Sequence, residues 1–131
     1  MNLSNFERQH KDIYMVMDSI KDLINASNFD EADLAKLINK LAGQLNIHLS
    51  SEDKFLYPAL LKDEKTADIA KRYVDEMGGI FEEFTEYKNK YNTRSKIMDF
   101  SATVIADSKQ ILDKIYTRMN KEENDIYKLI D

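Results

Sequence analysis

Apolar residues recur along this chain at intervals of three, four and seven, in four successive stretches with little to interrupt them. That is the period of one face of an α-helix, and no segment alternates as a half-buried strand does. Phe6, Ile13, Met17, Ile20 and Ile24 form the first stripe; Leu34, Leu37, Ile38, Leu41, Leu45, Ile47 and Leu49 form the second. Ile69, Tyr73, Val74, Ile80, Phe81, Phe84, Tyr87 and Tyr91 make the third, and Ile97, Phe100, Val104, Ile111, Leu112, Ile115 and Met119 the fourth. One proline and three glycines in 131 residues argue against a many-turned sandwich or barrel. The expectation is an all-α fold: one domain over residues 1–131, arranged as an antiparallel up-down four-helix bundle.

Local signals set the expected boundaries. Ser4 and Glu7 have the spacing of a capping box, Asp30 offers a cap for the second helix, and Asp63 or Thr66 for the third. Asn25-Ala26-Ser27-Asn28 and Asn92-Thr93 read as breaks, with the fourth helix running from about Ser95 to about Leu129. Pro58 lacks an N–H and crowds the preceding turn, so the second helix should stop or kink around Tyr57.

Composition removes several function classes. The absence of cysteine excludes disulfides, thiolate zinc sites, iron–sulfur clusters and cysteine nucleophiles. The net charge is −5 and no basic face is evident, so nucleic acid is not an expected partner. No apolar run approaches the roughly 20 residues of a membrane span. Met1–Glu7 lacks the basic start and apolar run of a secretory signal, and a cytoplasmic protein is expected. Neither a Gly-rich phosphate loop nor a nucleophile–base arrangement is visible, which argues for a binding module rather than an enzyme.

The chain also repeats itself. An offset of seventy residues pairs His48 with Arg118, Leu49 with Met119, Glu52 with Glu122 and Asp53 with Glu123. The register continues through Leu56 and Ile126, Tyr57 and Tyr127, and Leu60 and Ile130. A looser match sets Phe6, His10 and Ile13 against Tyr73, Met77 and Ile80. Two helical hairpins about a pseudo-twofold axis would produce this pattern, and a site on that axis would have two halves.

The chain has only two histidines, His10 and His48. His48 and Glu52 are four residues apart and project from one helical face, a pairing that suits non-haem iron or a similar divalent metal. Taken alone, the same spacing is equally that of a solvated His–Glu pair.

Three segments together resemble the hemerythrin-like (HHE cation-binding) family: Glu7-Arg8-Gln9-His10-Lys11-Asp12-Ile13, His48-Leu49-Ser50-Ser51-Glu52-Asp53-Lys54-Phe55-Leu56-Tyr57-Pro58, and Lys121-Glu122-Glu123-Asn124-Asp125-Ile126-Tyr127. The resemblance covers essentially the whole chain. It implies a di-iron centre in the bundle core, with His10, His48 and Glu52 supplying ligands and a fourth-helix carboxylate at Glu122, or at the adjacent Glu123.

Elsewhere the chain departs from that pattern. Tyr73 and Met77 stand where third-helix histidines belong, and Arg118 stands at the fourth-helix histidine. A thioether suits a hard iron site poorly and fills core gaps well. Tyr73 offers either a phenolate to ferric iron or a hydrogen bond to a carboxylate. Arg118 is permanently protonated and cannot ligate; turned inward, it would bond Glu52 and Glu122 and replace a metal charge, whereas turned outward it would be solvated. Gly78-Gly79, costly inside a helix, implies either a closely packed neighbour or a small cavity beside the site.

Two functional expectations remain. One is a module holding a single non-haem iron ion through His10, His48, Glu52 and Glu122, with an open position for a small molecule such as dioxygen or nitric oxide. The other is a metal-free bundle, with no cofactor, in which Arg118 neutralises the acids and the domain serves regulation or protein interaction. Oxygen carriage through a di-iron centre is disfavoured, since half of the ligand set is missing.

Overall fold

A computed structural model describes residues 3–26 and 28–130 of the chain. The described residues form helices and connecting turns, with no strand among them. Four long helices, α1 (Ser4–Asn25), α2 (Glu31–Ser51), α4 (Ala67–Tyr91) and α6 (Val104–Lys121), are joined by two short ones, α3 (Tyr57–Lys62) and α5 (Arg94–Asp99). α1 packs on α2, α2 on α4, α4 on α6 and α6 on α1, which closes a ring around one axis.

Asp30 caps α2 as expected, its carboxylate accepting from the N–H groups of Ala32 and Asp33. Such a cap contributes about 1 kcal/mol. Other boundary expectations need correction. α1 starts at Ser4 with Leu3 in the cap position and the Glu7 N–H donating to the Leu3 carbonyl, so Ser4 is the first helical residue rather than the cap. Thr66 stands at the start of α4, but its hydroxyl donates back to the Leu60 carbonyl at 2.6 Å instead of capping. α1 ends at Asn25 with Ala26 extended; Ser27, in the expected break, lies outside the described residues, as do Met1, Asn2 and Asp131.

The expected fourth helix is interrupted. Thr93 caps the short α5, and the chain turns at Phe100 before α6 begins. The buried Tyr91 fixes that turn, its hydroxyl bonding the Thr103 hydroxyl and the Asp107 carboxylate. Phe100, counted in the apolar stripe, is exposed, and so is Ile47. On α2 the core-facing line passes from Leu45 to His48 and then to Glu52, so polar residues occupy inward positions that periodicity assigned to Ile47 and Leu49.

Pro58 does not end the helical path. Residues Glu52–Leu56 form a π turn, closed by the Tyr57 N–H donating to the Glu52 carbonyl, and α3 continues from it to Lys62. A second π turn covers Glu122–Ile126, closed by Tyr127 on the Glu122 carbonyl, before a 3₁₀ turn at Tyr127–Ile130. The second π turn contains no proline, so proline is not the common cause. Both turns begin at a buried glutamate seventy residues apart, and π turns inside helices concentrate at functional sites.

The apolar interior is divided in two. One cluster holds Ile13, Met17, Leu41, Leu45, Ile115 and Met119 among others. The second contains Phe6, Leu56, Tyr57, Tyr73, Ile126 and Tyr127. His10 falls between Phe6 and Ile13, His48 and Glu52 between Leu45 and Leu56, and Glu122 between Met119 and Ile126. The polar residues therefore form a layer between two apolar ones.

Candidate metal centre

α1 supplies His10, α2 supplies His48, and the starts of the two π turns supply Glu52 and Glu122. All four side chains are at most 1% exposed, and one ligand atom from each lies within 4.8 Å of the others. The sequence reading named these four residues, and the structure brings them together.

The imidazoles are held from behind. His10 Nδ1 is 2.9 Å from Glu123 Oε1, and His48 Nδ1 is 2.8 Å from Gln9 Oε1. Gln9 is fixed in turn, its amide N–H donating to Ser51 Oγ at 3.2 Å. With Nδ1 donating outward, each ring turns Nε2, with its lone pair, inward. The two Nε2 atoms are 2.9 Å apart. Glu122 Oε2 lies 3.1 Å from His10 Nε2 and 3.7 Å from His48 Nε2. Glu52 Oε1 lies 3.4 Å from His48 Nε2.

This donor set fits a metal ion on two observations. Lone pairs 2.9 Å apart repel unless a proton or a cation lies between them, and two nitrogens each about 2.1 Å from one ion at right angles would be about 3.0 Å apart. Glu52 Oε1 is buried without a hydrogen-bond partner, which is costly for a carboxylate oxygen and natural for a ligand atom. Two imidazoles and two carboxylates are also ligands that iron accepts. Outward carboxylate and amide partners of the kind Glu123 and Gln9 provide fix ring orientation and raise ligand basicity.

Charge inside the layer is unevenly held. Burial, and then the Glu122 carboxylate beside it, push Glu52 well above its ordinary range. Burial acts the same way on Glu122 but is outweighed by the His10 and His48 rings beside it, which hold it low. Burial pushes the His48 imidazolium down, partly opposed by Glu122.

Arg118 is buried, as the repeat alignment required, but it does not reach Glu52 or Glu122. Nη1 donates to the half-exposed Glu76, Nη2 donates to the Tyr73 carbonyl at 2.9 Å, and the guanidinium stacks 3.9 Å from the Tyr73 ring centre. Its Nε has no partner. The expected carboxylate-paired arrangement is therefore corrected: the guanidinium bonds the α4 backbone and Glu76 instead. Tyr73 donates to Asp125 at 2.6 Å, the carboxylate-bonded arrangement, and Met77 is buried.

The close-packing account of Gly78 and Gly79 is also corrected. A methyl group built at either would meet nothing within 4 Å. Gly78 instead lines a cleft of about 310 Å³ with Met77, Tyr57, Val74 and Phe81.

Two residues of the site were not expected. Gln9 stands beside a histidine with nothing to distinguish it from any surface glutamine. Tyr127 places its hydroxyl 2.9 Å from His10 Nε2 and 3.3 Å from Glu52 Oε2. The sequence signals for Tyr127 are its pairing with Tyr57 in the repeat and its place at the end of the third segment of the family resemblance, neither of which gives it a role at the site.

A family model for the hemerythrin HHE cation binding domain matches residues 1–130. Neither the curated proteins nor the solved structures include a match to the chain.

Proposed function

The chain belongs to the hemerythrin HHE cation-binding family, and from that premise we propose that it holds a single non-haem iron ion through His10, His48, Glu52 and Glu122. In this reading the long helices form an up-down bundle of a cytoplasmic protein that binds or senses a small molecule such as dioxygen or nitric oxide and catalyses no reaction. The observation that carries the proposal is the convergence of four buried ligand atoms with Glu52 Oε1 left without a hydrogen bond.

One ion, rather than two, follows from the other half of the repeat. Met77 and Arg118 stand where His10 and His48 stand in the first half, and neither suits iron. Iron would supply a Lewis-acidic centre with redox capacity. The chain's own residues orient the ligands: Gln9 holds the His48 ring, Glu123 the His10 ring, and the apolar layers exclude bulk water.

The metal-free alternative requires Arg118 to neutralise the two acids. Its engagement with Glu76 and the Tyr73 carbonyl leaves Glu52 and Glu122 without a fixed cation, which favours the metal reading. The test is elemental analysis and visible spectroscopy of protein expressed in iron-replete medium and purified without chelator. Iron retained by the parent and lost in His48→Ala supports the proposal; an iron-free parent refutes it.

A further inference from the structure

Tyr127 and Tyr57 occupy equivalent places in the repeat, each five residues after a buried glutamate and each closing a π turn. Both side chains are buried. Their hydroxyls differ. That of Tyr57 has no hydrogen-bond partner, whereas that of Tyr127 touches His10 Nε2 at 2.9 Å and Glu52 Oε2 at 3.3 Å. Tyr127 thus approaches His10 Nε2 as closely as His48 Nε2 does. Its oxygen belongs to the same knot of atoms as the four ligands.

We infer that Tyr127 is a fifth ligand of the ion held by His10, His48, Glu52 and Glu122, binding through its phenolate oxygen and matching the site to ferric iron. The inference rests on the metal reading above. A cation at the convergence of these atoms displaces the Tyr127 hydroxyl proton, and that of Glu52, to solvent, and a bound ion stabilises the anionic form of an adjacent ligand. Two carboxylates, one phenolate and two neutral imidazoles carry three negative charges, which Fe(III) cancels. A buried group with no net charge avoids the several kcal/mol that an uncompensated ion costs in such a layer. The unpartnered Tyr57 hydroxyl is the counterpart of this arrangement: its half of the repeat offers Met77 and Arg118 and has no ion to meet.

The phenolate bond to Fe(III) has a visible charge-transfer band that carboxylate and imidazole ligands do not produce. The experiment loads the full chain with iron supplied as ferric citrate, removes excess, and records iron content and the visible spectrum. The parent is expected to bind iron and show the band. Tyr127→Phe retains iron and loses the band, while Tyr57→Phe keeps both. Bound iron without the band, or a band that survives Tyr127→Phe, overturns the inference and leaves the four-residue site intact. An iron-free parent overturns both readings. Should Tyr127→Phe fail to fold, resonance Raman of the parent and of Tyr57→Phe decides: tyrosinate ring modes enhanced under the band in both support the inference, and their absence from either overturns it.

Discussion

His10 and His48 meet through their Nε2 atoms at 2.9 Å, each ring held from behind by a side chain on another helix or turn. His48 is the more informative of the two, because its partner Gln9 is neighbour in sequence to His10. One turn of α1 therefore presents one ring to the site and fixes the other. Replacing Gln9 with Ala frees the His48 ring without removing a ligand. Outer partners of this kind contribute about 10–100-fold in metal affinity. Competition with a chelator should show a loss in that range for Gln9→Ala, with the iron content at saturation unchanged.

Glu52 governs the stability of the ion-free protein. Its folded-state pKa is raised, by burial first and by Glu122 second, above an ordinary value of 4.5. The stabilisation linked to its protonated form is complete below that ordinary value and is lost as pH rises through the folded value. Glu122 has the opposite sign: its folded pKa is depressed, so its contribution is present above the ordinary value and lost as pH falls through the folded one. In chelator, thermal unfolding of the parent, compared with Glu52→Gln, should show stability that declines from mildly acidic to neutral pH. Glu52→Gln should remove that decline, be more stable than the parent at neutral pH and lose iron binding.

Arg118 is predicted to matter for folding more than for the ion. Truncation to Ala would remove its bonds to the Tyr73 carbonyl and Glu76 and its stacking on the Tyr73 ring. The Tyr73 carbonyl keeps its bond within α4, so the loss is that of the guanidinium hydrogen bond and of the packing where a cavity opens, together costing about 2 kcal/mol; the half-exposed Glu76 adds little. Urea unfolding of Arg118→Ala measures this loss, and iron content per chain should stay at the parent value.

Gly78 offers a change in the other direction. It lies inside α4, and an added methyl group meets nothing within 4 Å. Gly78→Ala should stabilise the ion-free protein by up to about 1 kcal/mol through helix propensity. A destabilised Gly78→Ala, read from the same urea experiment, would show that the cleft beside Met77 tolerates no filling.

The long helices were legible because their apolar residues keep helical period over many turns, and α1 buries each stripe residue named for it. The break near Phe100 was not, since Tyr91 fixes it through contacts made only after folding. The four residues of the buried cluster, His10, His48, Glu52 and Glu122, were legible from spacing, repeat and family resemblance together. Tyr127 was hidden by the π turn. On a regular helix, five residues advance about 140° around the axis from Glu122, away from the site. The π turn, closed by the Tyr127 N–H on the Glu122 carbonyl, turns it back. Arg118 was placed inward by its alignment with His48, but alignment carries no information about a flexible side chain's reach, and Glu76 and the Tyr73 carbonyl lay on no shared motif with it.

The number of ions per chain tests the central claim most directly. Native mass spectrometry of the iron-titrated protein, calibrated against the ion-free form, should show the mass of one bound iron at saturation and no second tight step. His48→Ala should remain at the ion-free mass under the same conditions. Saturation at two irons would contradict the account by showing that the half containing Met77 and Arg118 also holds metal, and no bound iron would contradict it outright.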